Sequence, residues 1–285
     1  MKIKIRTLVQ SFVLLGSNAY LKGFAEARIY RGPLKSVCVP GLNCYSCPGA
    51  LFSCPLGSLQ AILAGWEYSF SFYVAGLLLG FGAIFGRFIC GFLCPFGFIQ
   101  ELLHKIPFFG NKKIKRIPKG FLYIKYAILA VFVIGLPVFA KGEFGVGYPA
   151  FCKFLCPAGT ITAGLPLLAG SEELREAAGA LFLWKSLLSA AIVVGCVVIY
   201  RFFCRVLCPL GAFYSFFNKI SLLRIGPDEV RGTFCKMGLN PVLEVNGLEC
   251  IRCGECKSHA KRRFAGRGSS AEVMANTTEQ IIHSA

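Results

Sequence analysis

The sequence FICGFLCPFG, at residues 88–97, recurs with small changes at two further places in the chain. The copies are FCKFLCPAG at 151–159 and FCRVLCPLG at 203–211, and all three share the pattern C-x3-C-P-x-G. A shortened copy, NCYSCPGALFSCPLG at 43–57, retains the Cys-Pro half. Cysteines four residues apart lie on one face of a helical turn, so both thiolates can reach the same metal or cluster. The repeat therefore predicts paired thiolate ligands.

The proline after the second cysteine of each repeat predicts the start of a helix, because proline suits the first helical position. We expect Cys94, Cys156 and Cys208 to precede such starts, with free backbone amides pointing at the sulfurs. A cluster held by four thiolates is an anion, and nearby cations would offset its charge inside a membrane. The candidate cations are Arg87, Lys153, Arg201 and Arg205.

Composition indicates a bilayer environment. Hydrophobic residues make up 55% of the 285 residues, and the mean hydropathy is +0.61. Three apolar stretches have about the 20 residues that a membrane helix needs, namely 68–86, 121–140 and 181–200. A weaker candidate, 8–21, follows the basic start MKIKIR, and we interpret it as a retained first helix and not as a signal peptide. The expected fold is an all-α membrane protein with about four transmembrane helices, Cys-rich loops and a small C-terminal segment.

The net charge of +17 follows membrane topology and does not predict a nucleic-acid partner. The loop after the second helix, at 105–125, is rich in lysine, whereas 141–180 mixes basic with acidic residues. By the positive-inside rule, the basic loop and both chain ends face the cytoplasm, and 25–66 and 141–180 face outward. The expected location is the cytoplasmic (inner) membrane, crossed several times and surrounded by lipid.

This topology sorts the fifteen cysteines into groups. The pairs after the second and fourth helices should meet at the cytoplasmic face and supply the four thiolates that one 4Fe-4S cluster takes. At the outer face, the pair of the middle repeat needs two of the four N-terminal cysteines, and the choice among those four stays open. Disulfides are the alternative for the N-terminal four, and Cys196, alone in an apolar run, is interpreted as packing. The cytoplasmic group is Cys90, Cys94, Cys204 and Cys208, and the outer candidates are Cys152 and Cys156 with Cys38, Cys44, Cys47 and Cys54.

The stretch CIRCGECKSHA, at 250–260, carries Cys250, Cys253 and Cys256 at the C-x2-C-x2-C spacing of a ferredoxin cluster motif. Ala260 stands where a fourth cysteine would be expected. His259 is a weak substitute ligand. Upstream, NPVLEVNG at 240–247 is compatible with a short strand and turn.

The run GPLKSVCVPGLNCYSCPGALFSCPLGSLQA, the three repeats and the ending CKMGLNPVLEVNGLECIRCGEC together resemble the membrane-bound 4Fe-4S proteins of the NapH type. The resemblance covers residues 18–257. It implies four membrane helices, a cytoplasmic ferredoxin domain with two clusters, and electron transfer that often draws on the quinol pool.

The chain departs from this family near its C-terminus, where members usually carry two complete C-x2-C-x2-C-x3-C motifs. In two-cluster ferredoxins, the fourth cysteine of each motif binds the cluster of the other motif. The resemblance matches Cys235 to the fourth cysteine of the first motif and so makes it the partner of the three cysteines at 250–256. One expectation is a domain reduced to one cluster, and the alternative is decay of the whole domain. The chain then divides into a membrane domain (1–225), a reduced ferredoxin-like segment (226–260) and a disordered tail (261–285).

Two functions stay open. The first is a redox relay that holds one to three 4Fe-4S clusters and passes electrons from a quinol or a cytoplasmic donor to a partner redox protein. His104, at the end of an apolar segment, is a candidate for binding a quinone headgroup, although a solvated histidine is the more common case. The second is a metal-handling or regulatory membrane protein whose thiolates bind copper or zinc. The sequence contains no nucleotide-binding glycine loop, Ser-His-Asp arrangement or C-x-x-C-H haem motif.

Overall fold

The computed structural model describes residues 3–66, 71–107, 113–114, 117–142, 146–226, 230 and 235–258. The regular secondary structure in this part of the chain is helical. Within these residues there is no strand, only three isolated β-bridges. The all-α class is therefore confirmed, and the strand expected within 240–247 is replaced by consecutive turns. In chain order the helices are α1 (Ile3–Ser17), α2 (Lys22–Ala25), α3 (Pro55–Ala64), α4 (Phe72–Phe85), α5 (Phe88–Phe92), α6 (Pro95–Lys105), α7 (Lys119–Ile128), α8 (Leu136–Phe139), α9 (Ala150–Phe154), α10 (Pro157–Gly159), α11 (Leu165–Gly170), α12 (Glu172–Glu176), α13 (Ala180–Val198), α14 (Phe202–Val206), α15 (Pro209–Phe217) and α16 (Glu255–Ser258), with a 3-10 turn at Pro33–Ser36 and π-helical segments at Leu129–Gly135 and Thr160–Gly164.

Two helices in the described part of the chain are long and apolar enough to cross a membrane. They are Gly120–Phe139, which joins α7 to α8 through the π-helical segment, and α13. Only 28% and 17% of their hydropathic windows are buried inside the protein, unlike the core helix of a soluble domain. The other two predicted spans give the shorter helices α1 and α4, of 15 and 14 residues, so four transmembrane helices are not established. Residues 67–70, at the start of the predicted span 68–86, lie outside the described residues.

Many large apolar side chains lie on the surface, while several charged side chains lie inside. Phe12, Phe72 and Phe139 are 77–84% exposed, whereas Arg87 and Arg201 are completely buried. A soluble protein rarely exposes such apolar surface, while a bilayer accommodates it and drives charged groups to the interior of the bundle. The distribution fits a protein with lipid around it.

Four helices begin directly after a Cys-Pro step, as the repeats predict. The cysteine is the N-cap in extended conformation and the proline is the first helical residue. The caps of α6 and α15 accept hydrogen bonds from backbone amides, at 3.4 Å between Gly97 N and Cys94 Sγ and 3.3 Å between Gly211 N and Cys208 Sγ. The four caps are Cys54, Cys94, Cys156 and Cys208.

These short helices start inside the molecule and run outward from it. Helix α6 packs along α13 and α1, and α15 packs against α7 and α4. The first cysteine of each full repeat lies on one of the short helices α5, α9 and α14. The fold therefore collects helix N-termini and cysteines in its interior, where helix amides favour negative charge.

Candidate metal centres

The structure brings together the four cysteines of the first and third full repeats, here called the central set. The thiols of Cys94 and Cys208 each interact electrostatically with those of Cys90 and Cys204. All four are buried. Helix α14 packs against α6, which follows α5, and this contact brings the two repeats together. The central set is Cys90, Cys94, Cys204 and Cys208.

A second group, the loop set, combines the cysteines of the middle repeat with two of the four N-terminal cysteines. Cys44 interacts with Cys156 and Cys54, and Cys152 interacts with the same two thiols. The packing agrees, because a Cβ placed on Gly159 would lie 3.7 Å from Cys44 Sγ. The loop set is Cys44, Cys54, Cys152 and Cys156.

Cys38 and Cys47 are the two remaining N-terminal cysteines. Cys38 pairs with Ser53 in a β-bridge, and its thiol donates to Ser58 Oγ at 3.5 Å. Cys47 lies beside Cys44 and Lys35. All fifteen cysteines are free thiols, so the disulfide alternative for the N-terminal four is not realised.

The terminal set consists of Cys235, Cys250, Cys253 and Cys256, which line a single cavity. Burial raises the pKa of Cys235, and the neighbouring Cys250 thiol raises it further. The apolar walls of the cavity include Met237 and Ile251, both buried. Cys235 thus lies beside the C-x2-C-x2-C motif. His259, the weak alternative ligand, and the tail from 261 lie outside the described residues.

The central and loop sets lie next to each other. A Cβ on Gly41 would lie 2.8 Å from the Cα of Cys94, so the chain just before the loop set packs on the central set. Leu42 lies beside the thiol of Cys94, and Asn43 lies beside the thiol of Cys54. Consecutive Cα atoms are about 3.8 Å apart, so the two sulfurs lie within roughly 10 Å of each other. The buried Tyr214 also lies near cysteines of both sets and donates to the carbonyl of Pro40 at 3.0 Å.

This proximity corrects the expectation that the two groups occupy opposite membrane faces. A bilayer core is about 30 Å thick, far more than the separation across the Leu42–Asn43 peptide. The expectation assumed that each repeat sits at the end of a complete membrane helix. The helices after the repeats are instead short and start in the interior, so both sets lie deep in the bundle.

The terminal set also lies next to the central set. A Cβ on Gly91, which follows Cys90, would lie 2.5 Å from the carbonyl oxygen of Ile251. Arg205, buried in the third repeat, interacts electrostatically with Cys235. The central set therefore neighbours both other sets, and the sequence terminal, central, loop is here called the row.

Two buried arginines join the halves of the central set. Arg87 and Arg201 each stand three residues before the first cysteine of a repeat. Arg87 Nη2 donates to the carbonyl oxygen of Cys204 at 3.4 Å, and Arg201 donates to the carbonyl oxygen of Cys90. Each cation thus crosses to the other repeat, consistent with the predicted role of arginines in offsetting negative charge.

Carboxylates balance these arginines. Glu249 pairs with Arg87, at 3.0 Å from Nη1, and with Lys125. Burial alone would raise the pKa of Glu249, but the two cations hold it below its ordinary value. Glu101 likewise has a lowered pKa against its burial, because Arg201 and Arg6 lie beside it. Since Glu249 precedes Cys250, this ion-pair network ties the terminal set to the central set.

The expected role of Lys153 is not supported. Its ammonium lies over the rings of Tyr148 and Phe154, at 4.9 and 5.3 Å from their centroids. Lys185 of α13 lies near the loop set instead, with Nζ 3.3 Å from the carbonyl oxygen of Cys152. The sequence analysis did not identify Lys185 as a cation near the cysteines because this residue stands in an otherwise apolar span.

Two further expectations concern single residues. His104 Nδ1 lies 3.3 Å from the carbonyl oxygen of Cys196, and its ring packs edge-on against Tyr200. Burial lowers the pKa of His104, and Lys113 lowers it further. Cys196 is buried beside Cys204 of the central set, and its thiol donates to Gln100 Oε1 at 3.6 Å. The central set already has four thiols without Cys196, and His104 is held by backbone and ring contacts.

The donor chemistry of the three sets fits iron-sulfur clusters. Each set offers four thiols, the number that one 4Fe-4S cluster takes. Within the described residues, no group of three His, Cys, Asp or Glu side chains could hold a single metal ion. Arg87 Nε is buried beside the central set with no partner in the described part of the chain, so it can donate to a cluster sulfur.

Comparison with known proteins agrees with this chemistry. A family model described as a 4Fe-4S binding domain matches residues 70–117, 126–170 and 181–227, and each match contains one C-x3-C-P repeat. The chain is 24% identical to the methylamine utilization ferredoxin-type protein MauN of Paracoccus denitrificans, over 70% of the chain and 58% of MauN. It is 27% identical to the protein NirI of the same organism, over 70% of the chain and 29% of NirI.

The chain is a 4Fe-4S protein similar to ferredoxin-type proteins of the NapH kind. It is also 28% identical to an uncharacterized protein of Methanocaldococcus jannaschii, over 63% of the chain and 71% of that relative. No solved structure matches it.

The sequence analysis missed several residues that lie next to the three sets. Most of them are brought to the cysteines by tertiary packing, so the sequence around them gives no signal. Gln60 and Gln100 do carry a signal, because each follows a Cys-Pro cysteine by six residues. The others are Leu42, Asn43, Lys185 and Tyr214.

Proposed function

We propose that the protein is a membrane-bound electron relay in which the terminal, central and loop sets each bind one 4Fe-4S cluster. Electrons pass along the row between a partner at the terminal set and a partner at the loop set. The cysteines of the three sets are the cluster ligands in this proposal. Cys38, Cys47 and Cys196 bind no cluster.

The close approach of the central and loop sets carries this proposal. A Cβ on Gly41 would lie 2.8 Å from the Cα of Cys94, and Cys44 of the loop set follows three residues later. Electron transfer needs short separations, and two neighbouring sets of buried thiols meet that need. Tyr214 fills the space beside the same two sets.

The residues around the sets stabilise negatively charged clusters in a low-dielectric interior. Helix N-termini direct backbone amides at Cys94 and Cys208, and the buried Arg87 and Arg201 add positive charge. The clusters, when bound, supply one-electron exchange. The protein sets their positions and potentials and excludes water.

A lipid environment follows from the outward-facing apolar side chains and the two membrane-length helices. We propose that the protein crosses the cytoplasmic membrane several times with both termini in the cytoplasm, in accordance with the lysine-rich loop. The terminal set then lies on the cytoplasmic side, and the segment 226–258 is a ferredoxin-like element reduced to one cluster.

Quinol is the proposed electron donor or acceptor at the loop set. A cavity of ≈ 290 Å³ lies beside Cys44, with apolar walls that include Leu14, Phe24 and Phe96. Asn43 lines it, is 6% exposed, and has a side-chain nitrogen without a hydrogen-bond partner in the described part of the chain. An apolar cavity with one convergent donor suits a ring carbonyl. His104 does not line this cavity.

The other partner is a redox protein that meets the cytoplasmic terminal set. The terminal cavity opens among Cys235, Cys253 and Cys256, which are only partly buried. MauN and NirI share less than two thirds of their length with this chain, so their own partners are not assigned to it.

A test of this function begins with anaerobic purification and measurement of iron, acid-labile sulfide and paramagnetic resonance. The expected preparation is brown, with iron and sulfide in equal amounts. Replacing any member of the central set with alanine should remove the same spectroscopic signal. A colourless protein with stoichiometric zinc or copper and no sulfide would instead support the metal-handling function.

A further inference from the structure

Two glutamines occupy the same place in two of the Cys-Pro repeats. The sequences CPLGSLQ at 54–60 and CPFGFIQ at 94–100 both carry glutamine six residues after the cysteine. The repeats CPAGTIT at 156–162 and CPLGAFY at 208–214 have Thr162 and Tyr214 there instead. The loop set and the central set each combine one repeat of each kind, so each set has one such glutamine.

Gln60 reaches from helix α3 to the opposite repeat of the loop set. Its side chain is completely buried. Nε2 lies 3.2 Å from Cys152 Sγ and 3.3 Å from the carbonyl oxygen of Leu56, and Oε1 accepts from the backbone amide of Phe151 at 3.0 Å. Every hydrogen-bonding atom of this amide therefore has a partner.

Gln100 repeats the arrangement at the central set. It is also completely buried, with Nε2 3.1 Å from Cys204 Sγ and 3.3 Å from the carbonyl oxygen of Phe96. Its Oε1 accepts from the backbone amide of Cys204 at 3.4 Å and from the thiol of Cys196 at 3.6 Å. In both sets, the glutamine contacts the first cysteine of the opposing repeat.

The neighbours determine which way each amide points. A backbone N–H can only donate, so the glutamine atom facing Phe151 N or Cys204 N must be the oxygen. The NH2 group then faces the cysteine sulfur. A ligating thiolate is an acceptor, and a hydrogen bond to a charged acceptor is stronger than one between neutral groups.

A purely structural role is the alternative, in which each glutamine only holds two repeats together. That role explains the contacts to backbone atoms. It does not explain why the free N–H of both amides ends at a cysteine sulfur in two different sets. A glutamine that donates to a cluster ligand favours the more negative, reduced state of the cluster.

We propose that Gln60 and Gln100 are positioning residues that each donate one hydrogen bond to a cluster-ligating sulfur, on Cys152 and Cys204, and raise the reduction potentials of the loop and central clusters. The inference rests on the proposed function, because it needs a cluster at each set. Gln60 affects the reduction potential of the loop cluster and Gln100 that of the central cluster, so the two potentials can be changed independently.

Redox titration monitored by paramagnetic resonance tests the assignment in the variants Gln60→Met and Gln100→Met, which keep side-chain bulk and lose the amide. Gln60→Met should lower the midpoint potential of the loop cluster and leave the central cluster unshifted. Gln100→Met should do the reverse, so each variant is the control for the other.

Unshifted potentials in variants with full iron content would overturn the proposal, as would an equal shift of both clusters. If the methionine variants lose iron, pulsed paramagnetic resonance of the reduced wild-type protein, labelled with 15N in the glutamine side chain, supplies the test. Nitrogen coupling to both clusters is expected, and its absence would refute the hydrogen bonds. Failure of the proposed function is distinct, because the wild-type protein would then contain no iron or sulfide.

Discussion

Arg87 donates a hydrogen bond to the carbonyl oxygen of Cys204 at 3.4 Å, although 117 residues separate them in the chain. Arg201 makes the reciprocal contact with the carbonyl oxygen of Cys90. The first and third full repeats are therefore joined across the central set by side chains as well as by the cysteines. Arg87 also pairs with Glu249, which extends the connection to the terminal set.

Breaking the Arg87–Glu249 ion pair should destabilise the fold. Removal of one partner of a buried pair typically costs about 3 kcal/mol, because the other charge stays buried. Arg87→Gln should therefore lower the free energy of unfolding by about that amount in chemical denaturation of detergent-solubilised protein. The double variant Arg87→Gln, Glu249→Gln should lose less than the sum of the single variants. Strictly additive losses would contradict a direct coupling.

The loop set predicts a sharp difference between neighbouring cysteines. Cys44→Ser should remove one cluster signal and its share of the iron, because Cys44 lies beside Cys156. Cys47→Ser, three residues away, is the matched control and should retain the full signal. Equal loss of the cluster signal in both variants, or loss only in Cys47→Ser, would contradict the assignment of Cys44 as the ligand.

The terminal set predicts that Cys235 is as necessary as the motif cysteines. Cys235→Ala should abolish the terminal cluster signal as completely as Cys253→Ala, since both line the same cavity. His259→Ala should leave it unchanged. A terminal signal that survives in Cys235→Ala would mean that a different group is the fourth ligand.

The adjacency of the central and loop sets predicts a magnetic interaction. Two reduced clusters in neighbouring sets should broaden each other's paramagnetic resonance signals. Cys152→Ala, which removes a loop ligand, should narrow the central signal without abolishing it. If the central signal in the fully reduced wild-type protein is already narrow, the clusters are not neighbours.

The stability of the folded protein should depend on pH because of Glu101. Its pKa is lowered by Arg201 and Arg6, despite burial, from an ordinary value of 4.5. Its stabilisation is therefore fully present above pH 4.5 and is lost as the pH falls through the lower folded pKa. Thermal unfolding of the cluster-free protein should show a steep acid decline that Glu101→Gln flattens. At pH 7 the same variant should lose about 3 kcal/mol, because two buried arginines lose their counterion. Parallel pH profiles for the two proteins would exclude Glu101 as the source.

Much of the site was predictable because it is local. The C-x3-C-P repeats predict cysteines at helix starts, and Cys94 and Cys208 cap α6 and α15 as expected. The prediction of opposite membrane faces was wrong because it took each repeat for the end of a full helix. Helix length depends on packing partners as much as on composition, and α4 ends at Phe85 after only 14 residues.

The sequence by itself determined the chemistry of this protein: its thiol pairs, its helix starts and its outward-facing apolar surface. These depend on residues close together in the chain, where proline geometry and hydrophobic content act directly. Only the tertiary structure decided that Cys44 and Cys54 complete the loop set, that the Leu42–Asn43 peptide separates two sets, and that Arg87 and Arg201 cross between repeats. Those relations join residues far apart in sequence, and the packing of short helices in the interior creates them.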